Sequence, residues 1–206
     1  MIAIVDYGLG NLFSLQRSLR YIGQESVITA DPSALEQAEK IILPGVGAFG
    51  DAAERLQKTG LGQAVVAQAE AGKPLLGICL GMQLLFEKGY EFGEHEGLGL
   101  IPGTVEEIVV PDRRRYKLPQ MGWNSLRLLK KHPLFAGVKE GDYVYFVHSF
   151  HGCRCEDSVI AVTDYGIPVT AAAARDNVWG TQFHPEKSGP VGLAILQAFA
   201  EQEGTP

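Results

Sequence analysis

Residues 73–88, K-P-L-L-G-I-C-L-G-M-Q-L-L-F-E-K, constrain the fold of this chain more than any other stretch. The segment begins as a short apolar run, Pro74 to Ile78, of the kind a buried parallel strand carries. It continues with Leu80, Leu84 and Leu85 at helical spacing, and Glu87 and Lys88 close the segment. Between the two halves stands Gly77-Ile78-Cys79-Leu80-Gly81, a G-x-C-x-G turn. This is the nucleophile-elbow pattern with cysteine in place of serine. A side chain at its centre stands on a sharp strand-to-helix bend, and glycines on both sides let neighbouring backbone approach. The start of the following helix would favour thiolate over thiol. Cysteine is also among the most buried residue types, so a packed, inert thiol is the competing reading.

The rest of the chain supplies a parallel sheet for that bend to sit on. Ile2 to Val5 is a β-branched run that ends at Asp6 and turns through Tyr7-Gly8-Leu9-Gly10-Asn11. Leu12, Leu15, Leu19 and Ile22 then recur at helical spacing and stop at Gly23. Strand, glycine turn and helix make half of a β-α-β unit. The Gly8-x-Gly10 pair lacks the third glycine of a dinucleotide fingerprint, because Phe13 occupies that place. Val27 to Thr29 reads as a second strand, Asp31-Pro32 as a helix start, and Lys40 to Leu43 as a third strand. That third strand runs into Pro44-Gly45-Val46-Gly47-Ala48-Phe49-Gly50. A glycine-spaced loop at a strand's carboxyl end lies where open parallel sheets place ligands, and its N–H groups can face an anion. Helices are expected at Asp51 to Lys58 and Leu61 to Ala71.

Beyond Gly89 the character changes. Val105 to Val110 and Tyr143 to Val147 are rich in β-branched and aromatic residues, and they read as extra strands appended to the parallel sheet. Val169 to Arg175 and Val178 to Phe183 flank Asp176-Asn177, a hairpin signal, and Val191 to Ala200 is helical. The expected fold is α/β: an open, mostly parallel sheet flanked by helices, with additional antiparallel strands, over residues 1–206 as one domain.

Composition narrows the function classes. With 206 residues, a formal net charge of −6 and one short basic cluster, Arg113-Arg114-Arg115 with Lys117, the chain does not read as a binder of nucleic acid or anionic membrane. No apolar run approaches the roughly 18 residues of a membrane span. Met1 to Gly8 has no basic flank and stops being apolar at Asp6, so it does not read as a signal peptide. Three cysteines make no disulfide framework. A reduced, cytoplasmic protein is the expectation.

Directly after the strand ending at Phe183 comes His184-Pro185-Glu186. In an extended segment the first and third residues share a side, so Glu186 could bond one imidazole nitrogen of His184 and leave the other as a base. Cys79, His184 and Glu186 thus have the roles of nucleophile, base and orienting acid. Cys153 and Cys155 with His148 and His151 lack the paired spacing of structural zinc ligands, so neither a metal nor a cofactor is expected. His95 and His132 read as surface residues.

P-G-V-G at Pro44, G-I-C-L-G-M-Q at Gly77 and Q-F-H-P-E at Gln182 together resemble the class I, triad-type glutamine amidotransferases. Y-G-x-G-N at Tyr7, M-Q after the elbow, M-G-W-N at Met121, Y-F-V-H-S at Tyr145 and H-P-E-K-S at His184 narrow the resemblance. They point to the branch that serves as glutaminase subunits of imidazole glycerol phosphate synthases in histidine biosynthesis. Phe150 departs from the tyrosine common in that branch. The resemblance implies that Cys79 attacks the side-chain amide of glutamine while His184 shuttles the proton. It further implies an oxyanion hole from Leu80 with Val46 and Gly47, and a substrate site from Gly45, Gln83, His148, Ser149 and Phe150. The implied partner is a (β/α)8-barrel cyclase subunit in a heterodimer, which would convert PRFAR to imidazole glycerol phosphate and AICAR. Asn11, Trp123, Tyr145 and Lys187 match positions at or near that docking face. Three rivals stay open, a glutaminase subunit of another synthase, a non-catalytic scaffold that works only by binding a partner, and a cysteine hydrolase of α/β-hydrolase type. In the latter the acid normally precedes the histidine by a long interval, whereas Glu186 follows it by two.

Overall fold

The computed structural model describes residues 1–202. Its first half alternates strand and helix: β1 (Ile2–Val5), α1 (Leu12–Tyr21), β2 (Ser26–Thr29), α2 (Pro32–Gln37), β3 (Lys40–Leu43), α3 (Phe49–Thr59), α4 (Leu61–Glu70), β4 (Leu75–Ile78) and α5 (Leu80–Leu84). Strands then dominate: β5 (Phe86–Gly89), β6 (His95–Glu96), β7 (Ile101–Glu107), β8 (Gln120–Ser125), β9 (Arg127–Leu128), β10 (Tyr143–His148), β11 (Phe150–Cys153), β12 (Val159–Asp164), β13 (Pro168–Arg175) and β14 (Val178–Thr181). Helix α6 (Gly189–Glu201) closes the described chain.

The main sheet has eight strands in the order β2-β1-β3-β4-β14-β13-β12-β9. The first five run parallel and the last three add on antiparallel. Because side chains alternate across a strand, each parallel strand feeds two cores. Ala3, Val5, Ile41 and Leu43 pack toward Leu35, Leu56 and Val65 of α2, α3 and α4. Ile2, Ile4, Ile42 and Leu76 pack toward Leu15 and Leu19 of α1 and Ile195 and Leu196 of α6. Strands covered on both faces need apolar residues at every position, which is why β1 and β3 read as unbroken runs. Asp31 caps α2 by accepting from Ser33 N–H at 2.9 Å, with Pro32 at the first helical position as the sequence predicts. The hairpin about Asp176-Asn177 forms as read, with Arg175 opposite Val178.

Two expectations fail. The helix after the elbow ends at Leu84, and Phe86–Gly89 turns into strand. Leu84, Leu85 and Phe86 are all fully buried, so no polar face remains to carry an amphipathic helix onward. Nor do the later strands simply extend the parallel sheet. β11, β7, β5 and β6 form their own four-stranded sheet, and β8 pairs with β10 as a separate antiparallel ribbon. The expected Val105 to Val110 strand is Ile101–Glu107; Ile108 and Val110 leave it to build a small cluster with Val169. No helix among the described residues is long and apolar enough to cross a membrane.

Candidate active site

Strands β1, β3, β4 and β14 are parallel, and the last three are consecutive neighbours, so the segments following them converge on one edge of the sheet. Those segments are the Tyr7–Asn11 turn, the Pro44–Ala48 loop, the elbow and the Gln182–Glu186 stretch. Open α/β sheets bind ligands at this carboxyl edge, next to the point where strand order reverses; here the reversal lies between β1 and β3.

Cys79 has φ 55° and ψ −111°, a conformation an L-residue holds only when its surroundings enforce it. The enforcement is visible. A Cβ on Gly77 would lie 2.7 Å from the backbone of Gly81 and Met82, and one on Gly81 would lie 1.8 Å from the Leu43 carbonyl. Only glycine lets β3, β4 and α5 approach this closely. Cys79 N–H donates to Thr181 O at 2.7 Å, tying the bend to the end of β14.

From that same strand end the chain reaches His184, whose Nδ1 lies 2.8 Å from Glu186 Oε1 with both side chains almost fully buried. The route differs from the extended one predicted. Pro185–Lys187 is a 3-10 turn, and its tight winding brings the carboxylate back onto the ring. The other nitrogen, Nε2, has no hydrogen-bond partner among the described residues. Burial pulls the His184 imidazole toward its neutral form, but adjacent Cys79 and Glu186 outweigh this and hold its pKa above the ordinary value.

A cleft of about 290 Å³ opens over the thiol, near the small end of ligand-site volumes and suited to an amino-acid-sized molecule. Cys79, His184, Leu80, Val46, Gly47, Gln83, His148, Ser149 and Phe150 all line it. Leu80 opens α5, whose first bond in the elbow runs from Gln83 N–H to Cys79 O at 3.1 Å, so the helix leaves the Leu80 N–H free. Gly47 sits at φ +104° in the facing loop. Gly45 does not line the cleft. It is buried against Tyr7 Oη and Leu80, and it serves as the close-packed hinge of the loop. Tyr7 pins that hinge by donating to Pro44 O at 2.8 Å.

His148 donates Nδ1–H to Phe150 O at 2.7 Å, and burial lowers its pKa to about 4, so it is neutral at pH 7. The sequence reading missed Glu91, which lines the cleft and accepts from Phe49 N–H at 2.8 Å, bracing the start of α3 just after the loop. Nothing in the local pattern of that loop marks it. A larger groove, about 680 Å³ between α3, α4 and β6, holds none of Cys79, His184 and Glu186.

Of the positions matched to a docking face, Trp123 is 52% exposed and Tyr145 and Asn11 are half-buried. Trp123 packs edge-on to Tyr145 with centroids 6.2 Å apart, and Lys187 Nζ lies 5.9 Å over the Tyr145 ring. Asn11 lines a crevice behind His184 and Glu186. Cys153 Sγ lies 3.4 Å from His151 Nε2. His95 and His132 are half-buried rather than surface residues: His95 lies against Gly50 and Phe49, and His132 packs edge-on to Trp179 at 4.7 Å.

Comparison with known proteins agrees with this geometry. The family profile described as Glutamine amidotransferase class-I matches residues 3–202. The chain is 53% identical over 206 residues to the imidazole glycerol phosphate synthase subunit HisH of Wolinella succinogenes, covering 98% of this chain and 99% of that one. It is 50% identical to the protein of the same name from Caldanaerobacter subterraneus, covering 98% of each. Among solved structures it superposes on PurLQS from Thermotoga maritima with TM-score 0.75 at 21% identity, covering 97% and 96% of the two chains. A second match is titled glutamine amidotransferase, with TM-score 0.74 at 18% identity, covering 97% of this chain and all of that one.

Proposed function

The chain belongs to the class-I glutamine amidotransferase family, and from that premise we propose how its residues divide the work. It hydrolyses glutamine as the glutaminase subunit of an imidazole glycerol phosphate synthase, in histidine biosynthesis. Residues 1–206 act as one amidotransferase domain. Cys79 is the nucleophile, His184 the base and Glu186 the group that fixes the ring.

The cycle follows from those roles. The Cys79 thiolate attacks the side-chain amide carbon of glutamine, and the electron pair moves onto the carbonyl oxygen. Leu80 N–H and an N–H of the Val46-Gly47 loop receive that charge; losing one donor of this type costs on the order of 10² to 10³ in rate. Protonated His184 passes its proton to the departing nitrogen, and ammonia leaves a glutamyl thioester. Water, activated by the now neutral imidazole, attacks the thioester and releases glutamate, restoring the Cys79 thiolate and the protonated imidazole. Gln83, His148, Ser149 and Phe150 hold the amino-acid end of the substrate.

Ammonia in neutral water is mostly ammonium, which is no nucleophile, so a synthase needs a sheltered hand-over. We infer a (β/α)8-barrel cyclase partner that docks over Asn11, Trp123, Tyr145 and Lys187 in the cytoplasm. That barrel converts PRFAR to imidazole glycerol phosphate and AICAR. One connection supports a link between that face and the triad: His184 N–H donates to Tyr145 O at 3.0 Å. Ser188 Oγ also accepts from Tyr145 N–H and donates to His184 O.

The observation that carries the reading is the pairing of a strained Cys79 with a His184–Glu186 pair at 2.8 Å on one sheet edge. The test is glutamate release by the chain alone, with the cyclase subunit, and with the cyclase subunit loaded with its substrate. Release should be slow alone and rise with the loaded partner. No glutamate release in any mixture would overturn the assignment, and equal release in all three would remove the coupling between docking face and site.

A further inference from the structure

Helix α5 is only five residues long, so its dipole gives the Cys79 sulfur little help. A polar side chain outside the triad, that of Gln182, also reaches this sulfur. It is completely buried, and its Nε2 lies 3.7 Å from Cys79 Sγ, an ordinary N–H···S separation. The assignment of that nitrogen does not rest on the amide alone. Phe150 O, a carbonyl that can only accept, takes a bond from Gln83 Nε2 at 3.0 Å. The same Gln83 nitrogen lies 3.1 Å from Gln182 Oε1. Since Gln83 presents N–H groups on that side, the atom of Gln182 facing it must be the oxygen. The Gln182 NH2 group is thereby turned onto the sulfur. Gln182 N–H in turn donates to Ala171 O at 2.8 Å, fixing the backbone from which the side chain projects.

We propose that Gln182 is a further catalytic residue of this site, whose amide N–H donates to the Cys79 thiolate and holds the sulfur facing the cleft and His184. The proposal rests on Cys79 being the glutaminase nucleophile. A donor aimed at an anionic sulfur makes a charge-assisted bond, stronger than one to a neutral thiol, so Gln182 favours the reactive form of Cys79. The bond matters through the cycle: as the sulfur becomes a thioester its negative charge disappears and the bond weakens, returning when the thiolate is released. Gln83 and Phe150, both on the cleft wall, form the rest of the chain that holds the amide. Movement of the 147–150 wall therefore reaches the sulfur through three hydrogen bonds in series.

The titratable groups around the thiol come from each neighbouring element. They are His184 and Glu186 after β14, Tyr7 after β1, and Glu91 and His148 on the cleft walls. Gln182→Glu keeps the oxygen that accepts from Gln83 but replaces the donor facing the sulfur with an anion. Gln182→Leu removes both partners at similar size. The readout is the rate of Cys79 alkylation by iodoacetamide against pH, with Cys79→Ala as the blank for Cys153 and Cys155. The alkylation midpoint should rise by about one pH unit in Gln182→Leu and further in Gln182→Glu, with kcat for glutamine hydrolysis falling about tenfold or more in both.

An unchanged midpoint in either folded variant overturns the proposal, even if activity falls, because a packing role would not move the thiol's titration. If neither variant folds, the unaltered chain carrying ¹⁵N-labelled glutamine decides. The Gln182 side-chain amide signal must shift as Cys79 titrates and on its alkylation, and an unmoved signal refutes the bond. Absence of glutaminase activity in the unaltered chain would instead strike the functional reading, leaving the titration result interpretable by itself.

Discussion

Tyr7 shows how one buried hydroxyl can set the geometry of a reaction it never touches. Burial, and then proximity to Cys79, raise its pKa well above the usual range against an opposing pull from Arg55, so its proton stays in place to bond Pro44 O. Tyr7→Phe would leave that carbonyl buried without a partner, at a cost of about 1–3 kcal/mol. Pro44 begins the loop that carries Val46 and Gly47. The expected outcome is a lower Tm together with a kcat reduced about tenfold and little change in KM for glutamine. Full turnover in Tyr7→Phe would show that the loop keeps its geometry without this bond. At the same scale, the meeting of Cys79 with the His184–Glu186 pair at one cleft and the steric need for Gly77 and Gly81 were legible from residue types and spacing. Glu91 was not, because its relevance arises from a loop folding over the cleft.

The joint between the two larger sheets is made by polar groups, and it should answer to pH. His151 on β11 accepts Thr170 N–H of β13 at its Nδ1, 3.3 Å away, and Thr170 Oγ1 donates to Gly152 O at 2.7 Å. An imidazole that accepts a backbone N–H must be neutral, and burial lowers its pKa from 6.5 to about 4. The unfolded chain binds that proton near pH 6.5 and the folded chain only near 4. Stability is therefore present above about pH 6.5 and lost as pH falls between these values, by about 1.4 kcal/mol per unit for a fully shifted histidine. His148 acts in the same direction. Urea midpoints taken from pH 7 to pH 5 should fall, and His151→Gln, which can still accept from Thr170, should flatten the slope by about half. Equal slopes in the two proteins would exclude this joint as the cause.

The elements themselves were unevenly legible. Parallel strands covered on both faces announce themselves as short apolar runs, so β1 through β4 and their helices follow from periodicity. The segment from Phe86 onward did not, because partner choice among short strands is settled by tertiary packing. Phe86 pairs with Ile101 of β7 rather than continuing a helix, and a local window cannot contain that information.

At the scale of the whole molecule, several exposed apolar side chains sit close to the triad's backbone: Phe13 is 76% exposed at the start of α1, and Met121, 63% exposed, stands with half-exposed Trp123 on the β8–β10 ribbon. These elements adjoin His184 through Tyr145 and Ser188, so a partner seated there would press directly on the backbone that carries its ring. Trp123→Ala should weaken association with the cyclase subunit by about thirtyfold, the scale of an aromatic anchor, as read by titration of a folded variant. An unchanged Kd would place the docking face elsewhere. All of this depends on one sulfur. The decisive measurement pairs Cys79→Ala with the cyclase subunit and follows imidazole glycerol phosphate formation from glutamine and from ammonium salt. The account predicts that the glutamine-dependent rate vanishes while the ammonium-dependent rate survives; glutamine-dependent synthesis persisting in that variant would contradict it.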